Sequence, residues 1–209
     1  MNYIPKSPQE PKEFKRWRTK VRGNHSRITG KPRNVEVKAL TQTIKNILLN
    51  EQGFLCCYCE SQITEKSSHI EHLQPKGKPE FAQLISAYSN LLCSCNHPNS
   101  CGTAKQNHII EVTPLNRECQ YLFVYKQNGK IQGTVQKATN TIQTLNLDSE
   151  RLRQARAGIC EVFNNLPVLS LTDYDRWVNE NLAPDTTGRL KPFWSTIKYF
   201  ADQNRCYFE

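Results

Sequence analysis

Between Cys56 and Lys105 the chain reads Cys56-Cys57-Tyr58-Cys59-Glu60, then His69-Ile70-Glu71-His72-Leu73-Gln74-Pro75-Lys76, then Tyr88-Ser89-Asn90-Leu91-Leu92-Cys93-Ser94-Cys95, and last Cys101-Gly102-Thr103-Ala104-Lys105. Two ligand chemistries are interleaved in this run. Thiolates suit a closed structural zinc site, whereas imidazole, carboxylate and amide groups suit hydrolytic chemistry on a phosphodiester. Cys56 and Cys59 have the C-x-x-C spacing that turns two sulfurs toward one tetrahedral ion, with Cys57 as the spare. Cys93, Cys95 and Cys101 are three candidates for the other two places. Four thiolates complete such a site.

Hydrolysing a phosphodiester requires charge stabilisation by a divalent cation and a base that takes a proton from water. Glu71 is a hard oxygen ligand, and His72, with an ordinary pKa of about 6.5, is a base suited to neutral pH. Neighbouring residues of a regular strand point to opposite faces, so the pair is expected at a strand end or a bulge, which Pro75 soon terminates. If the strand is regular, His69 shares a face with Glu71 and becomes a second candidate ligand. Lys76 and Lys105 read as solvated lysines within reach of phosphate.

The run resembles the HNH (ββα-metal) endonucleases, in the variant where two Cys pairs bind structural zinc beside the catalytic hairpin. That resemblance implies His72 as general base, Glu71 in the place of the usual Asp as ligand of a catalytic Mg²⁺ or Mn²⁺, and Asn90 as the central Asn that ligates the metal or holds the loop. Counting onward from Asn90 as in that family selects Cys95 over Cys93, with Cys101 as its partner, so the implied Zn²⁺ ligands are Cys56, Cys59, Cys95 and Cys101. Gly102 stands where many relatives carry His or Asn, which leaves a third position on the catalytic metal to His69, His108 or water. Longer phrases, Leu49 to Cys59, His69 to Lys76, Tyr88 to Leu92, Cys101 to Lys105 and Leu145 to Arg156, look like the HNH subunit of Septu anti-phage systems (PtuB-like). This likeness implies an SMC/ABC-like ATPase partner (PtuA-like), nucleic acid as substrate, and in retron-attached versions a reverse transcriptase with its nucleic acid. Competing readings are a nuclease acting on RNA such as tRNA, and a non-catalytic zinc-binding adaptor for the ATPase.

Composition agrees with a partner of negative charge: the 209 residues carry a formal net charge of +9. The start of the chain has no apolar run, so neither a secretory signal nor a membrane span is expected, and a cytoplasmic protein is. In a reducing compartment nine Cys are read as metal ligands before disulfides, with Cys119, Cys160 and Cys206 as scattered free thiols. No phosphate-cradling G-x-x-x-x-G-K loop occurs, so an ATPase motor must be another chain.

The expected fold is α+β: a zinc-braced ββα core at 37–118, preceded by a basic N-terminal arm at 1–36 and followed at 119–209 by a β-hairpin and a helical, partner-binding part. Phe14-Lys15-Arg16-Trp17-Arg18 in the arm is a candidate nucleic-acid or partner contact on an otherwise flexible segment. Helical spacing of Leu40, Ile44, Ile47 and Leu48 predicts a helix over 37–52 stopped by Gly53. Another helix begins near Gly102 to Lys105. Asn128-Gly129 between two β-rich runs predicts a hairpin. A helix from Asp148 or Ser149 is expected to bury Leu152, Ala155, Ile159 and Val162. Thr172 to Asp175 reads as a helix cap, and Pro192 as the first turn of the last helix. Trp177 and Trp194 are core residues or an interface for the ATPase. His25 and His97 carry no constellation.

Overall fold

The computed structural model describes residues 1–21, 35–167 and 170–207, and in it the N-terminal aromatic residues belong to the core. Helix α1 (Lys12–Val21) is amphipathic: Phe14 and Trp17 are buried and stacked with ring centroids 5.5 Å apart, while Lys15, Arg16 and Arg18 stay at the surface. Ahead of it, Met1 and Ile4 are buried, and the Lys6 ammonium reaches Glu51 and the Leu91 carbonyl. The flexible-arm expectation therefore fails for residues 1–21, because apolar side chains placed three apart on a helix are buried rather than offered to a ligand. His25 and the rest of that basic segment lie outside the described residues.

Helix α2 (Val35–Glu51) packs beside α1 and buries Val37, Leu40, Ile44, Leu48 and Leu49. It ends two residues before Gly53, whose φ of +56° suits glycine; a Cβ there would lie 2.5 Å from Leu190 Cγ. The chain then turns through the first cysteines into strand β1 (Ser68–His72), which pairs antiparallel with β2 (Leu91–Cys95) in the register Ser68↔Cys95 to His72↔Leu91. A short helix, α3 (Cys101–Lys105), follows and packs on β2. In chain order these are strand, strand and short helix. Every residue of β2 is buried, whereas β1 has no further strand on its outer edge among the described residues.

Strands β3 (Phe123–Tyr125) and β4 (Ile131–Gly133) form the expected hairpin around Asn128-Gly129. Gly129 has φ +76°, and a side chain there would collide with the Arg153 carbonyl, so the turn sits directly on the following helices. These are α4 (Gln136–Leu145), α5 (Glu150–Asn164), α6 (Leu171–Leu182) and α7 (Trp194–Asn204). Three local expectations are corrected here. The buried stripe of α5 is Leu152, Arg156, Cys160 and Phe163, rotated from the one expected, and Val162 is exposed. Arg156 can be inside because its Nε donates to the Gly129 carbonyl at 2.6 Å and its guanidinium faces Asp148. The cap of α6 is Ser170, whose hydroxyl accepts from the Asp173 amide, two residues before Thr172. Pro192 precedes Phe193, the residue that caps α7, and is not in its first turn.

Trp177 is half-buried against Phe163, and Trp194 donates to the Leu182 carbonyl. One hydrophobic cluster runs from Met1 and α1 through the paired strands to Ala201 on α7, crossing the boundaries expected near 36 and 118. The architecture is mixed α+β. Among the described residues no helix is long and apolar enough to cross a membrane.

Candidate active site and metal centre

The turn before β1, the end of β2 and the start of α3 bring four sulfurs together. The Sγ atoms of Cys56, Cys59, Cys95 and Cys101 all lie within 4.8 Å of one another and are buried. Cys59 and Cys95 are 4.0 Å apart. A tetrahedral ion with bonds of about 2.3 Å sets sulfurs about 3.8 Å apart, so this donor set fits a four-thiolate metal site with little adjustment. Cys93 lies outside the cluster with its Sγ toward the Lys45 carbonyl, and burial pushes its thiol up to about 12. The backbone amide of Cys95 donates to Cys56 Sγ at 3.3 Å, a hydrogen bond that stabilises a thiolate.

Alternation along β1 puts His69 and Glu71 on one face, and the structure brings them together: His69 Nε2 lies 3.3 Å from Glu71 Oε2. On its other side the His69 ring meets the Asn96 carboxamide oxygen at 2.9 Å. That oxygen only accepts, since the Asn96 nitrogen donates to the Lys66 and Ser68 carbonyls. Nδ1 of His69 therefore carries a proton, and in the neutral ring Nε2 offers its lone pair toward the carboxylate. Two electron-pair donors so placed need a positive charge, either a proton on Nε2 or a cation. Burial lowers the His69 pKa, but the hydrogen bonds to Glu71 and Asn96 outweigh it and raise the ring above its ordinary value. On an octahedral ion with bonds of about 2.1 Å, adjacent ligands are about 3 Å apart, so this pair fits one hard divalent cation.

The other carboxylate oxygen of Glu71 is already occupied. Oε1 lies 3.0 Å from Lys105 Nζ and accepts from the Tyr58 hydroxyl at 3.2 Å. Burial disfavours the Glu71 anion, yet His69 and Lys105 together hold its pKa below the ordinary carboxylate value. Lys105 is not the solvated lysine expected. Its side chain is 1 % exposed, and its ammonium also donates to the His72 carbonyl at 3.0 Å. Gly102, at the start of α3, lies over the same carboxylate: a Cβ there would be 2.6 Å from Glu71 Oε2 and 2.7 Å from His69 Nε2. The space a side chain at this helix position would take is filled by His69 and Glu71 from the strand.

His72 is the last residue of β1, the strand-end position expected. Its Nε2 lies 3.0 Å from the Ile85 carbonyl, which fixes the proton on Nε2 and leaves Nδ1 as the basic nitrogen of the neutral ring. Burial, with Lys76 and Lys105 nearby, lowers its pKa below the ordinary value despite the Ile85 hydrogen bond and the Glu71 charge, so the ring is neutral at pH 7. Asn90 clamps the loop between the strands. Its Oδ1 accepts from the Gln74 amide at 2.7 Å and its Nδ2 donates to the Gln74 and Leu84 carbonyls, both at 3.1 Å. These three hydrogen bonds hold the loop, the second of the two roles the resemblance implied for it, and Oδ1 keeps one lone pair beyond them. The His108 ring lies against the Lys105 carbonyl at the end of α3. His69, Glu71, His72 and Lys76 line one cleft of about 560 Å³ along the open edge of β1.

Over 101 residues the chain is 29 % identical to the "Retron Vc95 putative HNH endonuclease" of Vibrio cholerae serotype O1 biovar El Tor, a match covering 46 % of this chain and 49 % of that protein. The likeness supports an HNH-type relationship. The chain spans about half the length of that relative, and no protein-family model matches it.

Sequence reasoning missed Tyr58, Asn96 and the buried role of Lys105. Tyr58 stands inside the Cys56–Cys59 turn, and Asn96 directly follows Cys95, so both flank metal-ligand positions; their partners come from distant strands and are visible only once β1 and β2 pair.

Proposed function

We propose that this protein is a metal-dependent HNH endonuclease that hydrolyses phosphodiester bonds in nucleic acid, with DNA the favoured substrate. The reading rests above all on one arrangement: a neutral His72 with its basic Nδ1 left free by the Ile85 contact, at the end of the strand that carries the His69–Glu71 pair into the same cleft. His72 takes the proton from the attacking water at Nδ1. Glu71 and His69 hold Mg²⁺ or Mn²⁺, which supplies charge stabilisation to the phosphate and the leaving oxygen. Lys105 and Tyr58 orient the Glu71 carboxylate so that Oε2 faces His69. Asn90 fixes the loop that carries the Ile85 carbonyl, and so the tautomer of the base. Cys56, Cys59, Cys95 and Cys101 hold Zn²⁺, which ties the first turn, β2 and α3 into one rigid support.

The retron named in the relative's description and the Septu-like phrases support a biological setting of anti-phage defence, with the nuclease as cytoplasmic effector beside an SMC/ABC-like ATPase. The α6–α7 surface is the candidate docking face for that partner.

The test is cleavage of labelled DNA and RNA by the purified protein, alone and with an SMC/ABC-like ATPase of the Septu type, with and without Mg²⁺ or Mn²⁺, against His72→Ala. Metal-dependent cleavage that His72→Ala abolishes is expected. Equal cleavage by both proteins, or none under any condition, would overturn the assignment.

A further inference from the structure

Part of the wall of the cleft belongs to α2, a helix to which nothing so far assigns a function. Lys38, Thr41, Gln42 and Lys45 line it, spaced at i, i+3, i+4 and i+7, so they form one stripe along the helix flank. This stripe is separate from the buried face made by Val37, Leu40, Ile44 and Leu48. Lys45 is held inside the cleft, its ammonium donating to the Glu65 and Ser68 carbonyls at the head of β1. Both carboxylates of α2 point elsewhere and are neutralised: Glu36 pairs with Arg16 and Lys20, and Glu51 pairs with Lys6. Among the described residues Glu71 is therefore the one acidic residue lining the cleft, which Lys38, Lys45 and Lys76 also line.

We infer that the Lys38–Lys45 stripe of α2 is the binding wall for the sugar–phosphate backbone of one nucleic-acid strand, placing the scissile phosphate against the Glu71 edge. The inference rests on the nuclease reading for its substrate class. At about 1.5 Å per residue the two lysines are about 10 Å apart along the helix, enough to span adjacent phosphates of a strand. Lys38 and Lys45 supply the charge that attracts the backbone, and Thr41 and Gln42 supply hydrogen bonds between them without favouring a base. A positive wall in the cleft that holds Glu71 also draws phosphate toward the site that binds the cation.

The experiment measures binding rather than turnover: fluorescence anisotropy of labelled single-stranded DNA, duplex DNA and single-stranded RNA, without Mg²⁺ or Mn²⁺, over a range of salt. Lys38→Glu, at an exposed position, and Gln42→Glu are compared with Lys130→Glu, an equally exposed lysine on the β3–β4 turn. Both stripe variants should weaken binding about tenfold or more, and Lys38→Glu should lower the salt slope by about 1. Lys130→Glu should change affinity less than about twofold, since it lies outside the cleft. If the stripe variants bind like Lys130→Glu, or the unaltered protein binds none of the probes, the inference is overturned, and His72-dependent cleavage would still stand on its own. If the stripe binds as stated and nothing is cut, the nuclease reading fails and the binding wall remains.

Discussion

Lys105 Nζ lies 3.0 Å from Glu71 Oε1 and 3.0 Å from the carbonyl of His72, so one buried ammonium joins the carboxylate to the backbone of its neighbour. Lys105→Met leaves the Glu71 anion buried with less compensation, and losing one partner of a buried pair costs about 3–5 kcal/mol. The expected outcome is a lowered unfolding midpoint and at least a tenfold loss of cleavage. Adding Glu71→Gln removes the stranded charge, so the double variant should recover most of the stability while staying inactive. Urea denaturation of the two single variants and the double variant measures the coupling.

The cysteine cluster predicts a metal requirement for folding that is independent of the cleavage metal. Elemental analysis should find one zinc per chain, lost in Cys59→Ser and Cys101→Ser and retained in Cys93→Ala, whose sulfur lies outside the cluster. Chelation should lower the melting temperature even in the presence of excess Mg²⁺. A Cys93→Ala protein without zinc, beside a Cys101→Ser protein that keeps it, would refute the assignment.

The parts of the fold legible in the sequence are those written locally. Helix α2 with its Gly53 stop, the Asn128-Gly129 hairpin and the shared face of His69 and Glu71 all follow from spacing, and the structure has them. What the sequence did not reveal depends on partners distant in the chain. Lys105 reads as a surface lysine until β1 brings Glu71 beneath α3, and Arg156 reads as solvent-facing until the Gly129 carbonyl arrives to accept from it. Basic residues beside Phe14 and Trp17 suggested a binding arm, but the aromatic half of that pattern is the core-facing side of a helix. Asn90 was recognisable by position alone; the hydrogen bonds it makes to the Gln74 and Leu84 backbone come from a loop that spacing does not reveal.

Asp148 predicts an acid-sensitive joint between the β3–β4 hairpin and α5. Partial burial raises its carboxyl pKa, but the Arg153 side chain, the Ile131 amide and Arg156 hold it below the ordinary value. A carboxylate whose folded pKa is depressed adds stability above its unfolded value, about 3.9, and that stability is lost as pH falls through the folded value. Asp148→Asn should therefore melt lower than the unaltered protein at pH 7, with the gap narrowing below about pH 4. Thermal melts at pH 7, 5, 4 and 3 test this, and a gap that stays constant down to pH 3 would contradict it.

Gly102→Ala tests whether His69 and Glu71 act as one metal site. Alanine in a helix is ordinarily favoured over glycine by about 1 kcal/mol. Here its Cβ would lie 2.6 Å from Glu71 Oε2 and 2.7 Å from His69 Nε2, in the space where that pair meets. The His69 side chain is 37 % exposed and can swing outward once its Asn96 contact breaks, but Glu71 is buried and held from behind by Lys105 and Tyr58, so the new methyl group should displace His69 and still press on Oε2. The expected protein melts below the unaltered temperature, keeps its zinc, binds Mn²⁺ at least tenfold more weakly by titration calorimetry, and loses cleavage in proportion. Unchanged Mn²⁺ affinity in a stable Gly102→Ala protein would show that His69 and Glu71 do not hold the cation together.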